Sequence, residues 1–255
     1  MITIREKVGY TAILLISIAA IIGMLMAEPI AQDSGYHQFA DQRTILGVPN
    51  FWNVVSNLPF LIVGLMGLFS LLRPGRIQFI VELKPAYVLF FAGVALVNFG
   101  SGYYHLWPDN ETLVWDRLPM TFAFMALFAV IIAEFASLKV SRLALWPLVI
   151  FGLFSVFYWH FTETAGRGDL RIYALVQFLP MLLIPLLLLL FKPRFTLTSG
   201  YWVLLLAYVL AKVFEYYDEG LFESLGFISG HSLKHIVAAL GVFLLLRAYK
   251  IREKL

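Results

Sequence analysis

Eight long apolar stretches divide this chain, near residues 8–27, 51–72, 85–106, 118–137, 144–161, 172–191, 200–217 and 230–248. A helix needs about 20 such residues to cross the hydrocarbon of a bilayer. Lipid offers the backbone no hydrogen-bond partners, so a spanning segment must satisfy them within its own helix or a closed barrel. Composition agrees: 61% of residues are hydrophobic and 14% charged, against about 25% charged in a soluble domain. The fold class that follows is an all-α membrane protein of about eight spans. There is no basic arm or aromatic–basic stripe, so no nucleic acid is expected as a partner. Cysteine is absent, which excludes disulfides and thiolate metal sites and leaves His, Asp and Glu as metal donors.

Charge sets the expected orientation. Lys and Arg gather at Arg5 and Lys7, in the loop with Arg73, Arg76 and Lys84, around Lys139, Arg142, Lys192 and Arg194, and in the tail with Arg247, Lys250, Arg252 and Lys254. The alternating loops hold Arg43, Arg117, Arg167 and Arg171 among most of the acids. An even number of spans with both termini cytoplasmic satisfies every loop. Arg5 and Lys7 before an apolar run also suit a secretory leader, but "IIGMLMAEPIAQ" has no small-x-small cleavage site, and a retained helix is expected.

The polar residues that matter sit at the non-cytoplasmic ends of spans. Ser101 and His105 are four apart and share a helical face, as do His231 and His235. Asp116 is read as lying just before the helix that "RLPM" opens, with Pro119 in its first turn and a short loop folding Asp116 toward His105. Singly, each has a plain structural explanation: His105 among headgroups, Asp116 favoured at a helix start, Ser101 bonded back to its own helix. Together, three imidazoles and a carboxylate at one depth are the inventory of a catalytic zinc site with an open position for water. In that reading Asp116 orients the water and carries its proton, and Ser101 meets the developing oxyanion. His160 has no partner one turn away and is expected at the interface or on substrate. Lys212 and Lys234 lie inside spans; Lys234, between the paired histidines, is placed to meet a lipid phosphate or carboxylate, and snorkelling to the interface is the expectation. Phe51, Trp52, Tyr103, Tyr104, Trp107 and Trp115 suit an interfacial mouth.

Four pieces in order, "FWNVVSNLP" (51–59), "GSGYYH" (100–105), "WDRLPM" (115–120) and "HSLKHIVAALG" (231–241), resemble the motifs of the alkaline ceramidase family, within the wider CREST superfamily. The resemblance runs from about residue 36 to the C-terminus. It implies a seven-helix transmembrane bundle over residues 36–255, preceded in 1–35 by an extra N-terminal helix and loop. It also implies Zn2+ on His105, His231 and His235, with Asp116 handling the water and Ser101 lining the site. One element departs. Eukaryotic members carry a D-W-C-E-x-N calcium stretch, where this chain reads "YHQFADQRTILGVPNFWN" with only Asp41 and Asn50 as candidate donors, so calcium does not carry over.

The expected activity is zinc-dependent amide hydrolysis of a ceramide-like lipid drawn from the bilayer, on the non-cytoplasmic side. Hydrolysis of another lipid is the alternative enzyme reading, and a receptor-like protein with a structural zinc is the non-enzyme one. A transporter is disfavoured, because Glu134 and Lys212 are its only hints.

Overall fold

A computed structural model describes residues 3–255. Among these the chain forms ten helices and no sheet. Helix α1 (Ile4–Met26) starts at a capping box in which Thr3 and Glu6 satisfy each other's backbone N–H. The second apolar segment is broken in two, α2 (Phe51–Val55) and α3 (Leu58–Leu72). There follow α4 (Lys84–Leu106), α5 (Asn110–Ile131), α6 (Leu138–Thr164), α7 (Arg171–Leu190) and α8 (Ser199–Tyr216), then a short α9 (Asp218–Leu225) and α10 (Gly230–Ile251). Seven segments are long and apolar enough to span a membrane. The eighteen-residue α8, which carries Lys212 and Glu215, is the remaining apolar segment and packs along α10.

Two boundaries differ from those read in the sequence, and one cause explains the larger. Helix α5 begins at Asn110, because Asp109 and Thr112 form a capping box within the polar "PDNET" stretch. Asp116 therefore lies in the second turn of a helix rather than in a loop, and Pro119 stands inside the helix rather than in its first turn. At the other end of the bundle α6 starts at Leu138, capped by Ser137.

Helix contacts follow the rule for lipid, where small residues permit close backbone approach. Gly64 of α3 faces the Ala95 backbone, Gly93 of α4 faces the Pro119 carbonyl, and Gly241 of α10 faces Ala207 of α8. Helices α3, α4, α5 and α6 pack in sequence, α7 lies against α5 and α6, and α1 lies outside against α7. Helices α7 and α8 are consecutive in the chain yet do not pack extensively on one another.

The two ends of the bundle differ in kind. At one end α4 finishes and α10 begins, bringing the histidines together. At the other, Glu134 sits in a π turn (Ile132–Ala136) and accepts from Arg252 Nη1 and Nη2 at 2.8 and 2.7 Å, Tyr87 at 2.5 Å and Tyr201 at 2.8 Å. Arg252 also donates to the Gln78 carbonyl and lies 4.0 Å over the Phe195 and Tyr249 rings. Glu134, which the sequence offered as a hint of transport, is one half of a buried, fully partnered ion pair that fastens the C-terminal segment to the α5–α6 junction.

Candidate functional site

His105, in the last turn of α4, is 1% exposed, and His231 and His235, in the first turns of α10, are 5% and 7% exposed. Their ring centroids are 4.9, 5.1 and 5.1 Å apart, and one ligand nitrogen from each lies within 4.8 Å of the others. Among the described residues this is the only group of three or more His, Asp or Glu so placed.

The elements around the histidines explain how they are held. Ser229 caps α10, and Asp218 accepts from the backbone N–H of His231 at 2.6 Å. Asn53 of α2 accepts from Ser232 Oγ at 2.7 Å and donates to the Asp41 carbonyl. Asn50 donates to the His105 carbonyl at 2.8 Å. Ser56, in the break between α2 and α3, donates its hydroxyl proton to the Asn53 carbonyl and lies 2.8 Å from His235 Nδ1. That hydroxyl proton is already committed, so Ser56 accepts from Nδ1–H, which leaves the Nε2 lone pair of His235 for a metal. Asn53 and Ser56 belong to the "FWNVVSN" stretch and Asn50 directly precedes it; the sequence alone assigned Asn53 and Ser56 no role.

The donor set fits a metal. His105 Nδ1 and His231 Nε2 are buried with no hydrogen-bond partner. An orphaned buried polar atom is costly, and a metal ion is the partner that three convergent imidazoles accept. Phe39 closes over the group, its ring 4.8 Å from that of His105 and 4.7 Å from that of His231.

Ser101 and Asp116 are brought together by a small device. Pro119 has no N–H for the Trp115 carbonyl four residues earlier. Gly100 of α4 packs directly on that carbonyl oxygen, where a β-carbon would collide with it. The close approach sets Ser101 beside Asp116.

Both residues and His235 line a cavity of about 460 Å³ between α4, α5, α7, α8 and α10. Its charged residues cluster at the histidine end. Below them the walls are Phe90, Val94, Met120, Phe124, Leu127 and Ile184, with Tyr201 at the far end. From Asp116 to Ile131 the lining of α5 alone spans about 20 Å at 1.5 Å per residue.

Lys234 does not snorkel. It turns into this cavity and meets Glu215 Oε1 at 2.5 Å, while Lys212 meets Oε2 at 2.6 Å, since a carboxylate on the facing helix is a better partner than the distant interface. The six aromatic residues assigned to a mouth do not line the cavity. Tyr104 is buried, and Tyr103, Trp107 and Trp115 are exposed on the outer surface.

The other two histidines stand apart. His37 bridges Tyr104 and Asn110 at 3.0 Å each, and His160 lies beside Trp159 with Nδ1 unpartnered. Asp41 is engaged rather than free. Burial would raise its carboxyl, but three hydrogen bonds from Arg43, two from its side chain and one from its backbone, and the charge of that residue outweigh it and hold it below the ordinary value. Asn50 faces the His105 carbonyl.

Comparison with known families places a match to the Ceramidase family over residues 45–219, more than half of the chain. The match takes in "FWNVVSNLP", "GSGYYH" and "WDRLPM" and stops before His231. No curated protein matches.

Proposed function

The chain belongs to the ceramidase family, and from that premise we propose that it is a zinc-dependent intramembrane amidase, hydrolysing the N-acyl bond of a ceramide-like lipid to a fatty acid and an amine. The observation that carries this reading is the join between the three histidines and the cavity. His235, Asp116 and Ser101 share the polar end of a space whose remaining walls are apolar over about 20 Å. An amide presented there has its acyl chain accommodated in the length of the bundle.

His105, His231 and His235 would hold the ion. Three imidazoles without a carboxylate favour zinc over magnesium or calcium, and three protein donors rather than four leave a position open, which speaks for catalysis over a purely structural role. When bound, the metal would supply Lewis-acid polarisation of the amide carbonyl and acidify a water.

The chain's own groups do the rest. Asp116 accepts a proton from the attacking water as its oxygen bonds to the carbonyl carbon. It returns that proton to the nitrogen as the C–N bond breaks, leaving a carboxylic acid and an amine. Ser101 steadies the Asp116 carboxylate and stands within reach of the oxygen that gains charge. Apolar walls keep bulk water from the acyl chain. Because α7 and α8 line the cavity without closing on each other, a lipid reaches it sideways from the bilayer. The loop charges orient the bundle with both termini in the cytoplasm and the histidines toward the opposite side.

The test pairs metal content with fatty-acid release from a panel of N-acyl lipids, for wild type and His231→Ala. About one zinc per chain, lost in the variant together with hydrolysis, is the expected result. Zinc without release from any amide or ester lipid would overturn the enzyme reading in favour of a receptor-like one.

A further inference from the structure

Among the described residues, the charged side chains lining the cavity are Asp116, Arg117, Lys212, Glu215 and Lys234. That is three cations against two carboxylates. Both oxygens of Glu215 are taken by Lys212 and Lys234, and Asp116 forms no salt bridge with Arg117. Arg117 is the cation left over. It is 6% exposed, held between the rings of Trp159 at 4.0 Å and Tyr173 at 4.6 Å, and donates through Nη2 to Gln32 Oε1 at 2.6 Å. Its Nη1 has no hydrogen-bond partner, and it pairs with no carboxylate.

A permanently charged guanidinium in so apolar a setting is expensive without an anion. The aromatic pair compensates part of that charge and fixes the plane of the fork, leaving one edge for a ligand. Arg117 directly follows Asp116 on α5. A group held there therefore lies beside the scissile amide and not along the acyl tail, which runs toward Tyr201.

We infer that Arg117, supported by Lys212 and Lys234, forms a subsite for an anionic oxygen group, carboxylate or phosphate, on the amine side of the N-acyl lipid. This rests on the amidase reading and narrows it: the preferred substrate carries a negative headgroup next to the amide, which a plain ceramide does not.

The experiment uses the full-length protein in a neutral detergent free of phospholipid. It compares N-myristoylglycine with N-myristoylethanolamine, which share the acyl chain and the amide and differ in headgroup charge. Wild type is expected to favour the glycine conjugate in kcat/KM by about tenfold or more, the scale of one charge-assisted hydrogen bond. Arg117→Gln should reduce that ratio by a similar factor, carried by KM, and Arg117→Lys should restore part of it. Equal use of the two amides by wild type, or a ratio unchanged in Arg117→Gln, overturns the subsite. If the variant weakens only inhibition by added myristate, the cations hold the released fatty acid and the inference is wrong. Should Arg117→Gln fail to fold, Lys212→Gln, at a side chain 40% exposed, replaces it and the same drop in ratio is required. If neither amide is cleaved, the amidase reading is judged by the wider lipid panel and not by this pair. Direct binding then decides the subsite: preferential thermal stabilisation by the glycine conjugate, lost in the variant, upholds it, and equal stabilisation by both amides removes it.

Discussion

Ser56 Oγ lies 2.8 Å from His235 Nδ1, so a hydroxyl in the break between α2 and α3 selects the nitrogen that a histidine of α10 turns toward His105 and His231. Such outer partners of metal-binding histidines commonly contribute 10- to 100-fold in affinity. Ser56→Ala is expected to weaken zinc binding by about that factor while leaving the fold intact. Competition against a chelator of known affinity measures it, and unchanged affinity would show that the contact does not orient the ring.

Asp116 separates proton handling from metal binding, because it is not among the three convergent donors. Asp116→Asn should retain zinc and lose hydrolysis by about 10²- to 10⁴-fold, the usual worth of a positioned acid–base group. Loss of zinc in this variant would make Asp116 a ligand, and full activity would remove it from the mechanism.

Gly100 has no room for a β-carbon, since the Trp115 carbonyl occupies the space. Gly100→Ala should push α4 from α5 and destabilise the protein by about 1–3 kcal/mol, as overpacking does. It should also reduce turnover by parting Ser101 from Asp116. Thermal unfolding and kcat on the same preparation test this, and an alanine variant with wild-type values for both would refute the interlock.

Outside the spans, hydrogen bonds from Arg171 hold the Asp169 carboxyl down to about 2, against the opposing effect of burial. Its ordinary value is 3.8, so the stabilisation is present in full above that pH and is lost as pH falls through about 2. Asp169→Asn should unfold at lower temperature than wild type at neutral pH, and the gap should close between pH 4 and pH 2. A gap independent of pH would mean that the side chain acts through shape and not charge.

How much of this was legible in the sequence depends on the distance over which each feature is encoded. The spans were, because length and apolarity are local. The convergence of the three histidines was, because polar residues at span ends have few uses in lipid. The start of α5 was missed although Asp109 and Thr112 carried the capping pattern, since a polar stretch between spans reads as loop. The inward turn of Lys234 toward Glu215 joins α10 to α8, and the stacking of Arg117 on Trp159 and Tyr173 joins three helices. No spacing along the chain announces such pairs. Ser56 lay inside a stretch that the family resemblance had marked, but its purpose needed the position of His235.

Helix α10 is fastened at both extremities. Asn53 and Asp218 grip its first turn, and Arg252 anchors the residue after its last to Glu134. A rod bolted at both ends has no axial travel, so two of the three metal donors are registered against fixtures about 30 Å apart. The C-terminal tail is thus part of the mounting of the three histidines, and a lesion at residue 252 is expected to reach the imidazoles as lost alignment. Whatever give the bundle needs to admit a lipid falls to the middle of α7 and α8, which neither bolt touches.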